Sequence, residues 1–166
     1  MMKPFLFLLG FFLISCQEIS ENKVSSIDPF KETIVESQFF DIELRGNKVI
    51  EGESGTVVVI PESSFLDKEG NHVQGQIKLE LAEALNLDEM ISSNLTTTSE
   101  GLLLETGGMI FINAFQNGEE LKINPDKPIY IEIPTADKKP GMSVYEGIRD
   151  AEGNMNWVNP IKLKEY

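Results

Sequence analysis

His72-Val73-Gln74-Gly75-Gln76-Ile77-Lys78-Leu79-Glu80-Leu81 is the stretch whose reading decides the fold. Val73, Gly75, Ile77, Leu79 and Leu81 fall on one parity, and Gln74, Gln76, Lys78 and Glu80 on the other. Side chains of an extended chain leave on alternate faces, so a period of two sets one face against a core and one against water. The same alternation returns at Ile129, Ile131 and Ile133 against Tyr130 and Glu132. Thr56-Val57-Val58-Val59-Ile60 is β-branched throughout and stops at Pro61. Met109-Ile110-Phe111-Ile112 is apolar on both parities, the pattern of a central strand. Leu121-Lys122-Ile123 and Met142-Ser143-Val144-Tyr145 add further short strands.

The connections agree with strands. Asp67-Lys68-Glu69-Gly70-Asn71 and Asp150-Ala151-Glu152-Gly153-Asn154 share one D-x-E-G-N design, and Asn117-Gly118 joins two strands. Aspartate opens a turn by accepting backbone amides, and glycine takes the left-handed position that closes a hairpin with a bulge. A calcium loop of the EF type needs five or more oxygen ligands at fixed spacing with a distal glutamate, and neither segment has them. Helix is confined to Asn86–Ile91, where Asn86 suits a cap and Asp88 and Glu89 suit the positive end. Short strands at intervals of about 8–12 residues then predict an all-β fold, an antiparallel two-sheet β-sandwich over residues 38–166. At most one short helical turn is expected, near 86–92.

The N-terminus reads differently. Lys3 precedes an apolar run from Phe5 to Ile14 that falls short of the about 20 residues a membrane-spanning helix needs. A basic start and a short apolar stretch are the form of a secretory signal. Leu13-Ile14-Ser15-Cys16 resembles the lipobox of bacterial lipoproteins. The resemblance implies removal of residues 1–15, a diacylglycerol thioether on Cys16 and acylation of the new amine. Cys16 is the only cysteine, so an internal disulfide is impossible, and lipid gives the lone thiol a use. Two or more acyl chains anchor stably where one is marginal. Residues 16–37 are polar and lack an apolar period, as a tether would. Glu18 and Glu21 resemble the acidic export signal of surface-exposed lipoproteins in the Bacteroidetes. Gln17, in place of an aspartate that retains lipoproteins in the inner membrane, favours the outer membrane, with surface exposure the expected orientation.

Removing the first 15 of 166 residues leaves 151, enough for one domain with a real core. The chain has 14 Lys+Arg against 27 Asp+Glu, a net charge of −13 that becomes −14 once Lys3 is lost. That balance excludes nucleic acid, whose phosphates need a cationic counterpart, and leaves the lipid rather than charge to hold the membrane.

No catalytic constellation emerges. His72 is the single histidine, set beside the Gly70-Asn71 turn, with no partner to make a zinc site or a nucleophile triad. Gly107-Gly108 lacks the Gly-Lys-Ser/Thr of a phosphate loop and suits a close backbone approach before a strand. Glu80, Glu83, Asp88 and Glu89 could contain an acid/base pair only if two of them faced one cleft. Trp157, Tyr145 and Tyr130 could form a platform for stacking on sugars if exposed together; otherwise Trp157 is core packing.

One ordered string carries a family resemblance: Val57–Phe65 (Val-Val-Val-Ile-Pro-Glu-Ser-Ser-Phe), Asp67 to Gly75, Leu95–Ser99, Leu103–Met109, Ile133-Pro134, Gly141-Met142 and Asn156-Trp157. It resembles β-sandwich modules of Bacteroidetes surface and periplasmic lipoproteins, and is more distantly similar to ZU5-like and FAM171-like extracellular domains. The resemblance covers about two-thirds of the chain and implies a non-catalytic module for protein contacts. The expectation is therefore a non-enzymatic, lipid-anchored binding or scaffolding module with no cofactor and no metal. Its expected partners are the membrane through Cys16 and other envelope proteins. A glycan-binding accessory lipoprotein is the alternative, and a hydrolase stands third.

Overall fold

The computed structural model describes residues 35–135 and 139–163. The expected signal segment, Cys16 and nearly all of the expected tether lie outside the described residues. Those described form β1 (Gln38–Leu44), β2 (Lys48–Glu51), β3 (Val57–Ile60), β4 (Phe65–Leu66), β5 (Gly75–Ala84), α1 (Leu87–Ser92), β6 (Thr98–Ser99), β7 (Leu102–Leu103), β8 (Met109–Gln116), β9 (Glu119–Glu120), β10 (Lys122–Ile123), β11 (Tyr130–Glu132), β12 (Ser143–Arg149) and β13 (Met155–Lys162). The class is all-β with antiparallel pairing throughout and one short helix.

β5 organises the molecule. It sits second in a four-stranded sheet ordered β1-β5-β8-β9, while β11-β3-β2 form a three-stranded sheet. Ile77 and Leu79, on the parity read as inward, are buried with Ile42 and Leu44 of β1, Val58 and Ile60 of β3, Phe65 of β4, Val73 and Ala114. Both sheets thus feed one hydrophobic cluster. The strand also runs three residues past the alternating stretch and begins three residues after His72. From Glu80 to Ala84 every residue is buried, because a second cluster covers the opposite face. There Ala82 and Ala84 meet Met90 of α1, Leu95, Met109 and Met155, with Val35, Phe111 and Trp157 packed alongside.

This second cluster also explains the double apolar parity of β8. That strand pairs with β5 along its length, but on its far side β9 reaches only Phe115 and Gln116. Its residues Met109 and Phe111 project from the face covered by cluster two, while Ile112 packs on cluster one from the other face. β8 lies between β5 and β9 in the sheet order, the central position its hydrophobic pattern predicts.

Local chemistry follows the sequence closely. Asn86 accepts from the Glu89 amide and the Glu89 carboxylate accepts back from the Asn86 amide, a capping box that starts α1. Asp67 accepts from the Asn71 amide (2.8 Å) and side chain (3.0 Å), and Asp150 does the same with Asn154 at the same distances. These bonds hold both aspartates below the usual carboxylate range, the Asn71 and Asn154 side chains contributing most. Asn117 and Gly118 have φ of 54° and 83°, the left-handed pair that a two-residue hairpin turn requires.

Candidate functional site

The most elaborate polar centre grows out of β5. After Ile77, Leu79 and Leu81 the inward parity brings Glu83, a carboxylate only 3% exposed. A buried charge is costly unless its acceptor positions are filled. The β2–β3 connection fills them. Gly52 N donates to Thr56 O at 2.8 Å and Gly55 N to Gly52 O at 2.9 Å, curling the segment over the carboxylate. Ser54 N then reaches Glu83 Oε2 at 3.0 Å and Thr56 N reaches Oε1 at 3.0 Å. From β1, Gln38 Nε2 donates to Oε2 at 2.8 Å, while Gln38 Oε1 accepts the Glu53 amide at 2.8 Å. Gly52 is needed here for space: a Cβ would strike the Glu83 carboxylate and come within 2.8 Å of Leu81 Cδ2.

Burial pushes the Glu83 carboxyl up. The Thr56 side chain and the Ser54, Gln38 and Thr56 donors outweigh that and hold it below the usual glutamate range. Glu83 is thus an ionised carboxylate bound by neutral donors on both oxygens. Its chemistry is to tie the β2–β3 turn of one sheet to β1 and β5 of the other.

The other carboxylates do not join it. Glu80 is buried on the opposite parity of β5. Glu89 spends its Oε2 on the amides of Leu85 (2.8 Å) and Asn86 (3.3 Å) as part of the helix cap. His72 is exposed and lies in an isolated bridge opposite Leu66. Among the described residues, no group of three or more His, Cys, Asp or Glu side chains is placed to hold a metal ion.

The three aromatic candidates are divided. Trp157 and Tyr145 share the β12–β13 hairpin, where Trp157 pairs with Gly147 and Tyr145 sits at a bulge. Tyr130 belongs to β11, opposite Val59. The Trp157 indole lies close over Gly147, packs on cluster two and donates Nε1 to Thr96 O at 2.6 Å. Tyr130 is 54% exposed and Tyr145 half-buried.

Two open hollows lie on the surface of the described residues. One of about 350 Å³ is lined by Leu85, Glu105, Thr106, Gly107, Pro134, Thr135, Lys139 and Met142. Its two charged residues, Glu105 and Lys139, pair with each other at the exposed rim. Gly107 passes under Met142 Cε, and Gly108 lies close against Leu85 and Ile133, the tight approach expected of that glycine pair. The other hollow, of about 560 Å³, lies between the end of β1 and residues 62–63 and 73–75, with Glu43, Arg45 and Glu62 on its walls.

No protein-family model, curated protein or solved structure matches the chain.

The sequence marks Glu83 only as a candidate acid and not as a tie between sheets. The signal was present: Ile77, Leu79, Leu81, Glu83 is one unbroken parity, so the fourth member had to be buried with donors around it. Gln38 and the Gly52–Thr56 segment gave no such signal, because their part depends on a second sheet.

Proposed function

We propose that the chain is a lipid-anchored, non-catalytic binding or scaffolding module of a bacterial outer membrane, held on the cell surface through Cys16. The observation that carries this reading is Leu13-Ile14-Ser15-Cys16 behind a short apolar run, with no other cysteine in the chain. The described domain, in this reading, is a two-sheet antiparallel β-sandwich of the kind carried by Bacteroidetes lipoproteins. The support is that strands of the four-stranded and three-stranded sheets contribute to one cluster. A non-catalytic role is supported by the use of Glu83, whose oxygens are engaged by structural donors rather than offered to a substrate. Its partners are then the membrane, through lipid, and other proteins of the envelope.

A glycan-binding role is the second reading, and the exposure of Tyr130 favours it. Trp157 lends it little, since its N–H is engaged by Thr96 and its ring by cluster two. Cys16→Ser tests the anchor. The variant should lose lipid labelling and leave the membrane fraction, and unchanged membrane retention would overturn the reading.

A further inference from the structure

Among the described residues, the far edge of β8 is open beyond its short pairing with β9, and its geometry is specific. Gln116 pairs with Glu119 across the two-residue turn, and Ala114 O accepts Leu121 N at 2.8 Å. Even-numbered residues of β8 therefore turn their backbone groups away from β5, since these alternate in direction along an antiparallel strand. The Ala114 amide is closed by its neighbour, donating to Asn113 Oδ1 at 2.8 Å. Ile110 and Ile112 are left. Among the described residues, no strand pairs with β8 at these positions on that side. Each copy thus presents two N–H and two C=O groups in one short row, which is a template for another strand.

We propose that this row pairs with the same row of a second copy of the chain, antiparallel about a two-fold axis through Phe111. The self-pairing closes exactly two hydrogen-bonded residue pairs: Ile110 with Ile112 of the second copy, and Ile112 with its Ile110. All the open groups are used, in four hydrogen bonds, and the two Phe111 residues face each other at the axis. Such an interface is isologous, the form closed dimers take.

Charge argues for a second copy as the occupant. A chain of net charge −13 repels its own copies, so contact is favoured where neither side brings charge. β8 reads Met-Ile-Phe-Ile-Asn-Ala-Phe-Gln and carries no ionisable side chain. It is the only described strand longer than four residues of which that is true; β1 carries Asp41 and Glu43, β12 carries Glu146 and Arg149, and β13 carries Lys162. The free edges of the three-stranded sheet, β2 with Lys48 and Glu51 and β11 with Glu132, are also charged, and the uncharged strands β4, β6 and β7 are only two residues long.

Sedimentation of the purified, processed protein should show a monomer–dimer equilibrium. Amide hydrogen exchange at Ile110 and Ile112 should slow as concentration rises, while Phe111, whose amide bonds β5, stays unchanged. Ile112→Pro removes one outward N–H per copy and leaves the bonds to β5, so the dimer dissociation constant should rise about tenfold or more. A protein monomeric at every concentration, or exchange at Ile110 and Ile112 that ignores concentration, would overturn the proposal. So would a dimer of undiminished strength in a folded Ile112→Pro variant, or a different polypeptide found on this edge in place of a second copy. The exchange measurement needs no variant and decides the matter if Ile112→Pro does not fold.

Discussion

On one face of β5, Ile77 and Leu79 meet Ile42, Val58, Ile60 and Phe65; on the other, Ala82 and Ala84 meet Met90, Leu95, Met109 and Met155. The first cluster is made mostly of branched and aromatic side chains, nearly all set by regular sheet positions. The second is small on the strand side and flexible on the covering side, where α1 and the β12–β13 ribbon lie. Alanines let the covering elements approach closely, and methionine fills irregular gaps because its chain is unbranched. Polar pins then fix what soft packing leaves loose. Thr96 Oγ1 donates to Met155 O at 2.6 Å, Trp157 Nε1 to Thr96 O at 2.6 Å, and Arg149 Nη2 to Ser93 O at 3.5 Å. A strand can thus be buried on both faces by different physics: shape on one side, small residues with hydrogen-bonded cover on the other.

The sharpest way to break this contrast is to delete one large side chain from each cluster. Phe65, 1% exposed, should cost about 4 kcal/mol as Phe65→Ala, against about 2 kcal/mol for Met90→Ala, whose pliable neighbours can partly refill the space. Equilibrium denaturation measures both, and equal losses would mean the clusters are not different in kind. Glu83 comes next, because it ties the sheets around cluster one. Glu83→Ala leaves two amides and the Gln38 side chain unpaired and should cost about 3 kcal/mol at neutral pH. Its carboxyl is lowered in the folded state, so its contribution is complete above the ordinary glutamate range. It fades as pH falls through that range toward the folded value. Denaturation curves of wild type and Glu83→Ala should therefore converge in acid, and a gap that stays constant with pH would remove Glu83 as the cause. The smallest effect concerns a pin of cluster two. Trp157→Phe keeps most of the ring and loses the bond to Thr96, for about 1 kcal/mol. The accompanying rise in amide exchange should stay near residues 94–97 and 155–158; a rise spread through cluster one would merge the two regions.

Much of this was legible in particular residues. The parity of Ile77, Leu79 and Leu81, the Asn86–Glu89 cap and the paired aspartate turns are local, and each appears where the sequence puts it. β13 was not legible, since Met-Asn-Trp-Val-Asn-Pro-Ile-Lys holds a proline, which argues against a strand flanked on both sides. Pro160 is tolerated because, among the described residues, β13 pairs only with β12, next to an irregularity where Asn159 takes a φ of 54°. β1 was obscured by Phe39-Phe40, two apolar neighbours of which Phe39 lies 58% exposed and Phe40 packs on the core.

What the sequence determined by itself is whatever acts within a few residues: strand parity, turn type and the helix cap. These depend on steric and hydrogen-bonding preferences of the local chain. The tertiary structure decided the burial of β5 on its second face, the donors that surround Glu83, the division of Tyr130 from Trp157 and Tyr145, and the open row on β8. Each of these depends on which distant segments come to lie against one strand, and a period of two in one strand says only that something covers its apolar face.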